Sequence, residues 1–347
     1  MEWIRGETIG YGTFSTVSLA SSPSNNGSGE FPTFMAVKSA DSYGAASLAN
    51  EKAVLDKLGD ECDEIVRCFG DDRTVENGEE MHNLFLEYAS RGSLESYLKK
   101  LGGEGLPEST VRRHTGSVLR GLRHIHANGF AHCDLKLGNI LLFGDGAVKI
   151  ADFGLAKRVG EVTALNEGVQ IRGTPLYMAP EAVNDNEYGS EGDVWALGCA
   201  VVEMFSGKTA WSFKEGSNFM SLLIRIGVGD EVPMIPEELS EQGRDFLTKC
   251  FVKDPKKRWT AEMLLHHPFV AVDLDHDGLV EEEESFVVNL KTKEEVSTSP
   301  RCPFEFPDWD SVSSGSQTID SPDERVASLA ADSIPDWSVT SSWVTVR

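Results

Sequence analysis

The sequence changes character near Gly92, and this change restricts the folds that the chain can adopt. Before Gly92, several segments carry alternating or β-branched residues, a pattern that favours strands. These segments are residues 7–20, 34–38 and 83–88, with one helix-like segment at 45–58. After Gly92, apolar residues recur with helical spacing. The helical segments are residues 94–101, 108–128, 191–206 and 241–251. A strand-rich part followed by a helix-rich part predicts an α+β chain with two lobes.

The formal net charge of −24 is unevenly distributed along the chain. Residues 270–347 contain 17 acidic and 5 basic residues, a net charge of −12. Of the last 57 residues, 17 are Ser or Thr, and the segment has no apolar periodicity. This composition predicts an acidic linker over residues 270–290 and a disordered tail over residues 291–347. The negative charge also argues against nucleic-acid binding, which needs clustered Lys and Arg.

The cysteines and the apolar runs indicate the cellular compartment. The six cysteines form no CxxC pair, and no signal peptide precedes them, so we expect reduced thiols in a cytoplasmic or nuclear protein. The most apolar run, residues 194–205, is too short to span a membrane and predicts a buried helix.

Two N-terminal motifs suggest phosphate binding. Residues 9–17, Ile-Gly-Tyr-Gly-Thr-Phe-Ser-Thr-Val, can bring backbone N–H groups close to a phosphate, although a plain glycine turn explains this motif better when it is taken alone. Lys38 follows on a predicted strand, where its charge could bind the α- and β-phosphates. Glu51 on the next helix is the candidate to orient Lys38.

The densest group of chemically active residues lies further along the chain. Residues 132–142 read His-Cys-Asp-Leu-Lys-Leu-Gly-Asn-Ile-Leu-Leu, Asp152-Phe-Gly follows, and then Ala-Pro-Glu at 179–181. One carboxylate beside a nucleophile, two metal-binding side chains and two lysines are the groups that phosphoryl transfer needs.

These blocks, in this order, resemble the signature set of eukaryotic protein kinases. The resemblance covers about residues 1–269 and implies the two-lobed protein kinase fold, with a strand-rich N-lobe at about 1–89 and a helix-rich C-lobe at about 90–269. It also implies ATP and Mg²⁺ as cofactors.

The resemblance carries roles onto individual residues. Asp134 would accept the proton of the substrate hydroxyl, Lys136 would stabilise the transferring phosphoryl group, and Asn139 and Asp152 would hold Mg²⁺. Lys38 and Glu51 complete the expected catalytic set. The expected ATP-binding residues are Ile9, Gly10, Gly12, Val17, Ala36, Lys38, Glu87, Ala89 and Leu141, with Leu86 at the back of the adenine pocket.

Finer features narrow the family. Asp134-Leu-Lys136 with Thr174 resembles serine/threonine kinases, where the lysine and threonine flank the acceptor hydroxyl. The blocks at 173–181, 86–94 and 259–269 resemble MEKK-like kinases, in particular the small plant mitogen-activated protein kinase kinase kinases. This resemblance implies a mitogen-activated protein kinase kinase as protein substrate, in a stress or hormone cascade such as abscisic acid signalling, and neither nucleic-acid nor membrane partners.

Cys133 departs from the kinase pattern, in which many members carry arginine. That arginine normally pairs with a phosphorylated residue of the activation loop, so we expect weaker dependence on loop phosphorylation here, for example at Thr163.

Three alternatives stay open from the sequence. Residues 273–284 match the ligand positions of an EF-hand calcium loop, which would make the chain a calcium-regulated kinase, although a solvated acidic linker explains them as well. The chain could also be a pseudokinase scaffold, a reading that the retained metal ligands oppose. Two Pro-Asp-Trp elements, ending at Trp309 and Trp337, could dock a partner or bind back onto the kinase domain.

Overall fold

The computed structural model of the chain describes residues 3–13, 15–22, 32–76, 78–160, 172–212 and 219–271. Within these residues the chain folds into a strand-rich N-terminal lobe and a helix-rich C-terminal lobe, so the predicted fold class is confirmed.

The N-terminal lobe is built on one antiparallel sheet of five strands in the order β1-β2-β3-β5-β4. The strands are β1 (Ile4–Tyr11), β2 (Thr16–Ser21), β3 (Phe34–Ala40), β4 (Cys68–Glu76) and β5 (Glu79–Leu86). Since side chains alternate along a strand, β3 has Met35 and Val37 on one face and Ala36 and Lys38 on the other. Met35 and Val37 join a small apolar cluster, whereas Ala36 belongs to the main core.

One helix, α1 (Ala45–Leu58), accompanies this sheet. It has the predicted bounds, and its leucines Leu48, Leu55 and Leu58 are all buried. Glu51 lies on the buried side of the helix and is 0% exposed. A buried carboxylate requires a charged or hydrogen-bonding partner, so the partner of Glu51 determines where α1 lies.

The C-terminal lobe contains the remaining helices and four short strands. The helices are α2 (Leu94–Lys100), α3 (Glu108–Ala127), α4 (Pro180–Asp185), α5 (Ser190–Ser206), α6 (Phe219–Gly227), α7 (Glu241–Cys250), α8 (Ala261–Leu265) and α9 (Pro268–Ala271). The strands are β6 (Phe130–Ala131), β7 (Ile140–Leu142), β8 (Val148–Ile150) and β9 (Lys157–Arg158), paired β6 with β9 and β7 with β8. The short hairpins lie at the end of the lobe that carries the candidate site.

Helix α5 forms the centre of this lobe. Residues Val194–Val202 are all buried, as the apolar run predicts, and Asp193 and Trp195 are 2% and 0% exposed. Among the described residues, no helix is both long and apolar enough to cross a membrane.

The structure differs from the sequence expectation mainly in short or polar elements. Strand β4 was not predicted because Cys68–Glu76 carries Gly70 and four charged residues, a composition that disfavours strands. Helices α4, α6, α8 and α9 were also not predicted; they are only four to nine residues long, so the apolar spacing repeats only a few times. The predicted linker, tail and calcium loop, from residue 272 onward, lie outside the described residues.

Candidate active site

A glycine turn joins β1 and β2 at the mouth of the cleft between the lobes. The two strands pair Gly10 with Val17 and Tyr11 with Thr16. The Gly12 N–H donates to the Ser15 carbonyl at 2.7 Å, which closes the turn. Phe14 lies outside the described residues. The backbone of this short, closed turn therefore lies next to the cleft.

Apolar side chains line the cleft behind this turn. Ile9 and Val17 pack partly buried against the main core, as Leu141 does from the C-terminal lobe. Ala36 and Leu86, paired across β3 and β5, are 8% and 7% exposed. These five residues form an apolar slot between the lobes, of the kind that a planar ligand can enter.

Lys38 links three parts of the site. Its Nζ lies 2.6 Å from Glu51 Oε2 on α1 and 2.8 Å from Asp152 Oδ1 on the turn after β8. The other oxygen of Glu51 accepts the N–H of Phe153 at 3.2 Å. One lysine and one glutamate therefore join the sheet, α1 and the Asp152 turn.

The charges of this cluster are strongly coupled. Burial raises the pKa of Glu51, and the Lys38 ammonium works against this rise. Burial alone would lower the pKa of Lys38. The charges of Asp152 and Glu51 together outweigh burial, so the pKa lies above its ordinary value. For Asp152, burial opposes ionisation, but Lys38 outweighs it and lowers the pKa to about 2. Lys38 and Asp152 are therefore a charged pair at neutral pH.

A second cluster surrounds Asp134. Its Oδ1 accepts the Thr174 hydroxyl at 2.7 Å, and its Oδ2 lies 2.9 Å from Lys136 Nζ. Lys136 Nζ also donates to Thr174 Oγ1 at 2.9 Å. Asn139 Nδ2 donates to the Asp134 carbonyl and to Oδ2, at 2.8 and 3.1 Å. Contacts with Thr174, Lys136 and Asn139 therefore fix the orientation of the Asp134 carboxylate.

Asp193 in α5 anchors the loop that carries Asp134. This buried carboxylate accepts the backbone N–H groups of His132 and Cys133 at 2.8 and 2.9 Å, and His126 Nε2 at 2.9 Å. Burial raises the pKa of Asp193, but the hydrogen bonds and charges of His126 and His132 together outweigh it, so the pKa is lowered. The fixed charge of Asp193 holds Cys133 in the left-handed region, at φ 65°.

The residue types and their exposure fit a magnesium ion. Asp152 points a partly open carboxylate (44% exposed) toward the cleft, and Asn139 uses its amide nitrogen for Asp134, which leaves its carbonyl oxygen without a partner among the described residues. Mg²⁺ is usually bound by one or two oxygen ligands of the protein, together with water and substrate phosphates. The described residues contain no cluster of three or more acidic, His or Cys side chains that could hold a metal.

The segment that joins the lobes after β5 has its own arrangement. The Glu87 N–H donates to the Arg67 carbonyl at 3.0 Å. Both carboxylate oxygens of Glu87 lie 2.9 Å from Lys149 Nζ in β8. The N–H of Ala89 has no hydrogen-bond partner in the described part of the chain, so this donor is available to a ligand.

The structure brings Lys38, Glu51 and Asp152 into one cluster and Asp134, Lys136 and Asn139 into a second, and it adds two residues that the sequence did not indicate. Lys149 is the strand partner of Leu141, and Asn50, next to Glu51, contacts the Asp152 turn. Both look like ordinary polar residues in the sequence, and no local motif marks them. Thr163 and the Pro-Asp-Trp elements lie outside the described residues.

Burial argues against a reactive thiol at Cys133. The buried surroundings raise its pKa well above the ordinary value, and nearby Asp193 adds to the rise. The five cysteines within the described residues are free thiols, as predicted.

Comparisons with known proteins agree with this geometry. Residues 3–270 match the family model described as protein kinase domain. The chain is 74% identical to mitogen-activated protein kinase kinase kinase 20 of Arabidopsis thaliana, over the full length of both chains. It is 39% identical to mitogen-activated protein kinase kinase kinase 18 of the same plant, over 86% of this chain and 84% of that protein. A more distant relative is the serine/threonine-protein kinase BCK1/SLK1/SSP31 of Saccharomyces cerevisiae, 36% identical over 78% of this chain and 18% of that protein.

Proposed function

This chain belongs to the protein kinase family and is a protein serine/threonine kinase of the mitogen-activated protein kinase kinase kinase type, and from this premise we propose that its substrate is a mitogen-activated protein kinase kinase. The observation that supports the substrate best is the full-length similarity to a plant kinase of that name. The proposed setting is a stress or hormone cascade in the cytoplasm or nucleus.

We propose that Asp134 is the base that accepts the proton of the attacking hydroxyl. Its carboxylate is fixed by Thr174 and Lys136, so the free lone pairs have one direction in which to receive a Ser or Thr hydroxyl. A proton abstracted late in the transfer needs only a well-placed acceptor, because positioning and electrostatics supply most of the catalysis of phosphoryl transfer.

The lysines have separate proposed tasks. Lys38, fixed by Glu51, would bind the α- and β-phosphates of ATP, and Lys136 would neutralise charge on the transferring group. Asn139 and Asp152 would hold Mg²⁺, which would neutralise part of the charge of the phosphates. The low pKa of Asp152 keeps this ligand ionised across the physiological range.

The adenine ring would enter the apolar slot. Ile9, Val17 and Ala36 would cover it from the N-terminal lobe and Leu141 from the C-terminal lobe, while Gly10 and Gly12 keep the turn close to the phosphates. The Glu87 carbonyl and the available Ala89 N–H would bind the edge of the base.

The test is phosphate transfer from ATP to a panel of recombinant kinase kinases that are themselves inactivated. We expect one or a few members to gain phosphate on Ser or Thr, mapped by mass spectrometry, and the Asp134→Asn enzyme to transfer none. If the wild-type chain phosphorylates a generic protein but no member of the panel, the kinase assignment stands and the proposed substrate is wrong.

The same assay separates the alternatives. A pseudokinase scaffold would give equal signals for wild type and Asp134→Asn. A calcium-regulated kinase would change its rate with added Ca²⁺ and lose that response in Glu284→Gln, at the last position of the candidate calcium loop.

A further inference from the structure

Asn50 in α1 faces the turn that follows Asp152. Its amide nitrogen lies 3.2 Å from the carbonyl oxygen of Phe153, 3.1 Å from that of Gly154 and 2.9 Å from that of Ala156. All three neighbours are acceptors, so the nitrogen, and not the oxygen, of the Asn50 amide must point at them. The Asn50 side chain therefore links α1 to three backbone carbonyl groups of this turn.

The same face of α1 makes two more contacts with the turn. Glu51 accepts the Phe153 N–H, and Ser47 lies so close to Gly154 that a side chain at that position would collide with its hydroxyl. Ser47, Asn50 and Glu51 are spaced i, i+3 and i+4, which places them on one side of the helix. A displacement of α1 would break all of these contacts together.

The turn needs external support because its first residue is strained. Asp152 has φ 66°, in the left-handed region that residues other than glycine seldom occupy. Such a conformation costs on the order of 1–3 kcal/mol and persists only where its surroundings enforce it. Phe153 gives part of that support, since it is fully buried with its ring centroid 5.0 Å from that of His132.

We propose that Asn50 is a positioning residue for phosphoryl transfer: its amide holds residues 153–156 against α1, and thereby keeps Asp152 oriented for Lys38 and for the metal. The catalytic part of this inference rests on the proposed roles of Asp152 and Lys38. The structural part, that Asn50 restrains the turn, is independent of them.

The most informative variant is Asn50→Asp. It keeps the shape of the side chain but replaces the N–H donor by a carboxylate that faces three carbonyl oxygens. We expect kcat to fall about tenfold, because the new carboxylate leaves three partly buried acceptors without a donor and repels them. The Mg²⁺ concentration for half-maximal rate should rise severalfold, while KM for the protein substrate stays unchanged. In the full-length protein without metal or nucleotide, hydrogen exchange of a peptide covering residues 152–157 should become faster.

Two further variants complete the design. Asn128→Asp is the matched control. The Asn128 amide also donates to a backbone carbonyl, that of His124 at 2.9 Å, but it lies at the surface at the C-terminal end of α3. This variant should behave as wild type. Asn50→Ala removes the donor without adding charge and should show the same changes at about one third of their size. It carries the test if Asn50→Asp does not fold.

The inference is overturned if the Asn50 variants that fold keep the wild-type kcat, magnesium dependence and exchange of residues 152–157. Failure of the proposed catalytic roles would look different, because wild type itself would then transfer no phosphate. Faster exchange with unchanged magnesium dependence and kcat would also overturn the proposal, since Asn50 would then restrain the turn without positioning Asp152.

Discussion

The two lobes hold their site residues by different means. In the C-terminal lobe, the loop before Asp134 is fixed by Asp193, and Arg258 is paired with Glu181 in a site where the arginine side chain is 0% exposed. In the N-terminal lobe, Lys38 is held by charged partners on a helix and on a turn that belong to separate elements. The first arrangement lies within the folded core, whereas the second joins separate elements, so we expect it to open without unfolding. We therefore expect stability and activity to respond to different residues.

Arg258→Ala should give the largest loss of stability. It removes two hydrogen bonds to Glu181, at 2.6 and 3.0 Å, and leaves that buried carboxylate unpaired. Breaking a buried pair in this way costs about 3–5 kcal/mol, measured as the free energy of unfolding in urea. The control is Arg73→Ala, whose pair with Glu80 is exposed and should contribute less than about 1 kcal/mol. Equal losses in the two variants would remove the distinction between core and surface pairs.

Lys38→Met should affect activity more than stability. Loss of one charged donor at the phosphates is expected to lower kcat about 10²- to 10³-fold, by analogy with other preorganised donors. The unfolding free energy should change less than in Arg258→Ala, because Glu51 can take up a proton when its partner is removed. Lys52→Met, on α1 next to Glu51 and with an exposed partner, serves as control and should keep most activity. The comparison fails if Lys38→Met unfolds the protein as readily as Arg258→Ala.

Buried His114 in α3 should make the C-terminal lobe sensitive to acid. Burial, helped by the charges of Arg113 and Arg91, lowers its pKa to about 4. The unfolded chain, with an ordinary histidine pKa near 6.5, binds a proton first, so stability is lost as the pH falls from about 6.5 toward 4. The loss from this group should reach about 3 to 4 kcal/mol, since its pKa is about 4 in the folded chain and about 6.5 in the unfolded chain, at about 1.4 kcal/mol per pH unit.

Unfolding midpoints measured from pH 7 to 4.5 test this prediction. His114→Gln should flatten the dependence, whereas the same change at exposed His266 should leave the wild-type slope. An unchanged slope in His114→Gln would assign the acid sensitivity to other groups.

Lys149→Met should give the smallest effect, and it concerns the connection between the lobes. The Lys149 side chain holds both oxygens of Glu87, so its loss should loosen the segment that carries Glu87 and Ala89. We expect KM for ATP to rise about fivefold, roughly 1 kcal/mol, at nearly constant kcat. Glu87→Gln should behave similarly, and the double variant should be no worse than either single one. Additive effects would show that the two residues act separately.

The sequence carried different amounts of information for different parts of the molecule. The long helices α1, α3, α5 and α7 could be predicted within one residue at each end, because their apolar periodicity extends over several turns. Strand β4 could not, since its polar sequence is stabilised by pairing with β5 and not by its own propensity. Elements formed by tertiary contact are hidden from local patterns.

The candidate site shows the same limit. Asp134, Asn139 and Asp152 lie in short local motifs, so their types and spacing could be identified in the sequence. Asn50 and Lys149 act through partners more than sixty positions away, and single-sequence reasoning has no access to such pairs. The complete burial of Glu51 was likewise visible only in three dimensions, although the sequence identified it as the candidate partner of Lys38.

The most direct test of the account is the rate of phosphate transfer by Asp134→Asn at saturating ATP and protein substrate, measured together with its nucleotide affinity. The account predicts a rate at least about 10²-fold below wild type, because the general base is lost, with the affinity for ATP within about twofold of wild type, because Asp134 touches the acceptor side and not the adenine slot. A rate within a few-fold of wild type would contradict the assignment of Asp134 as the base.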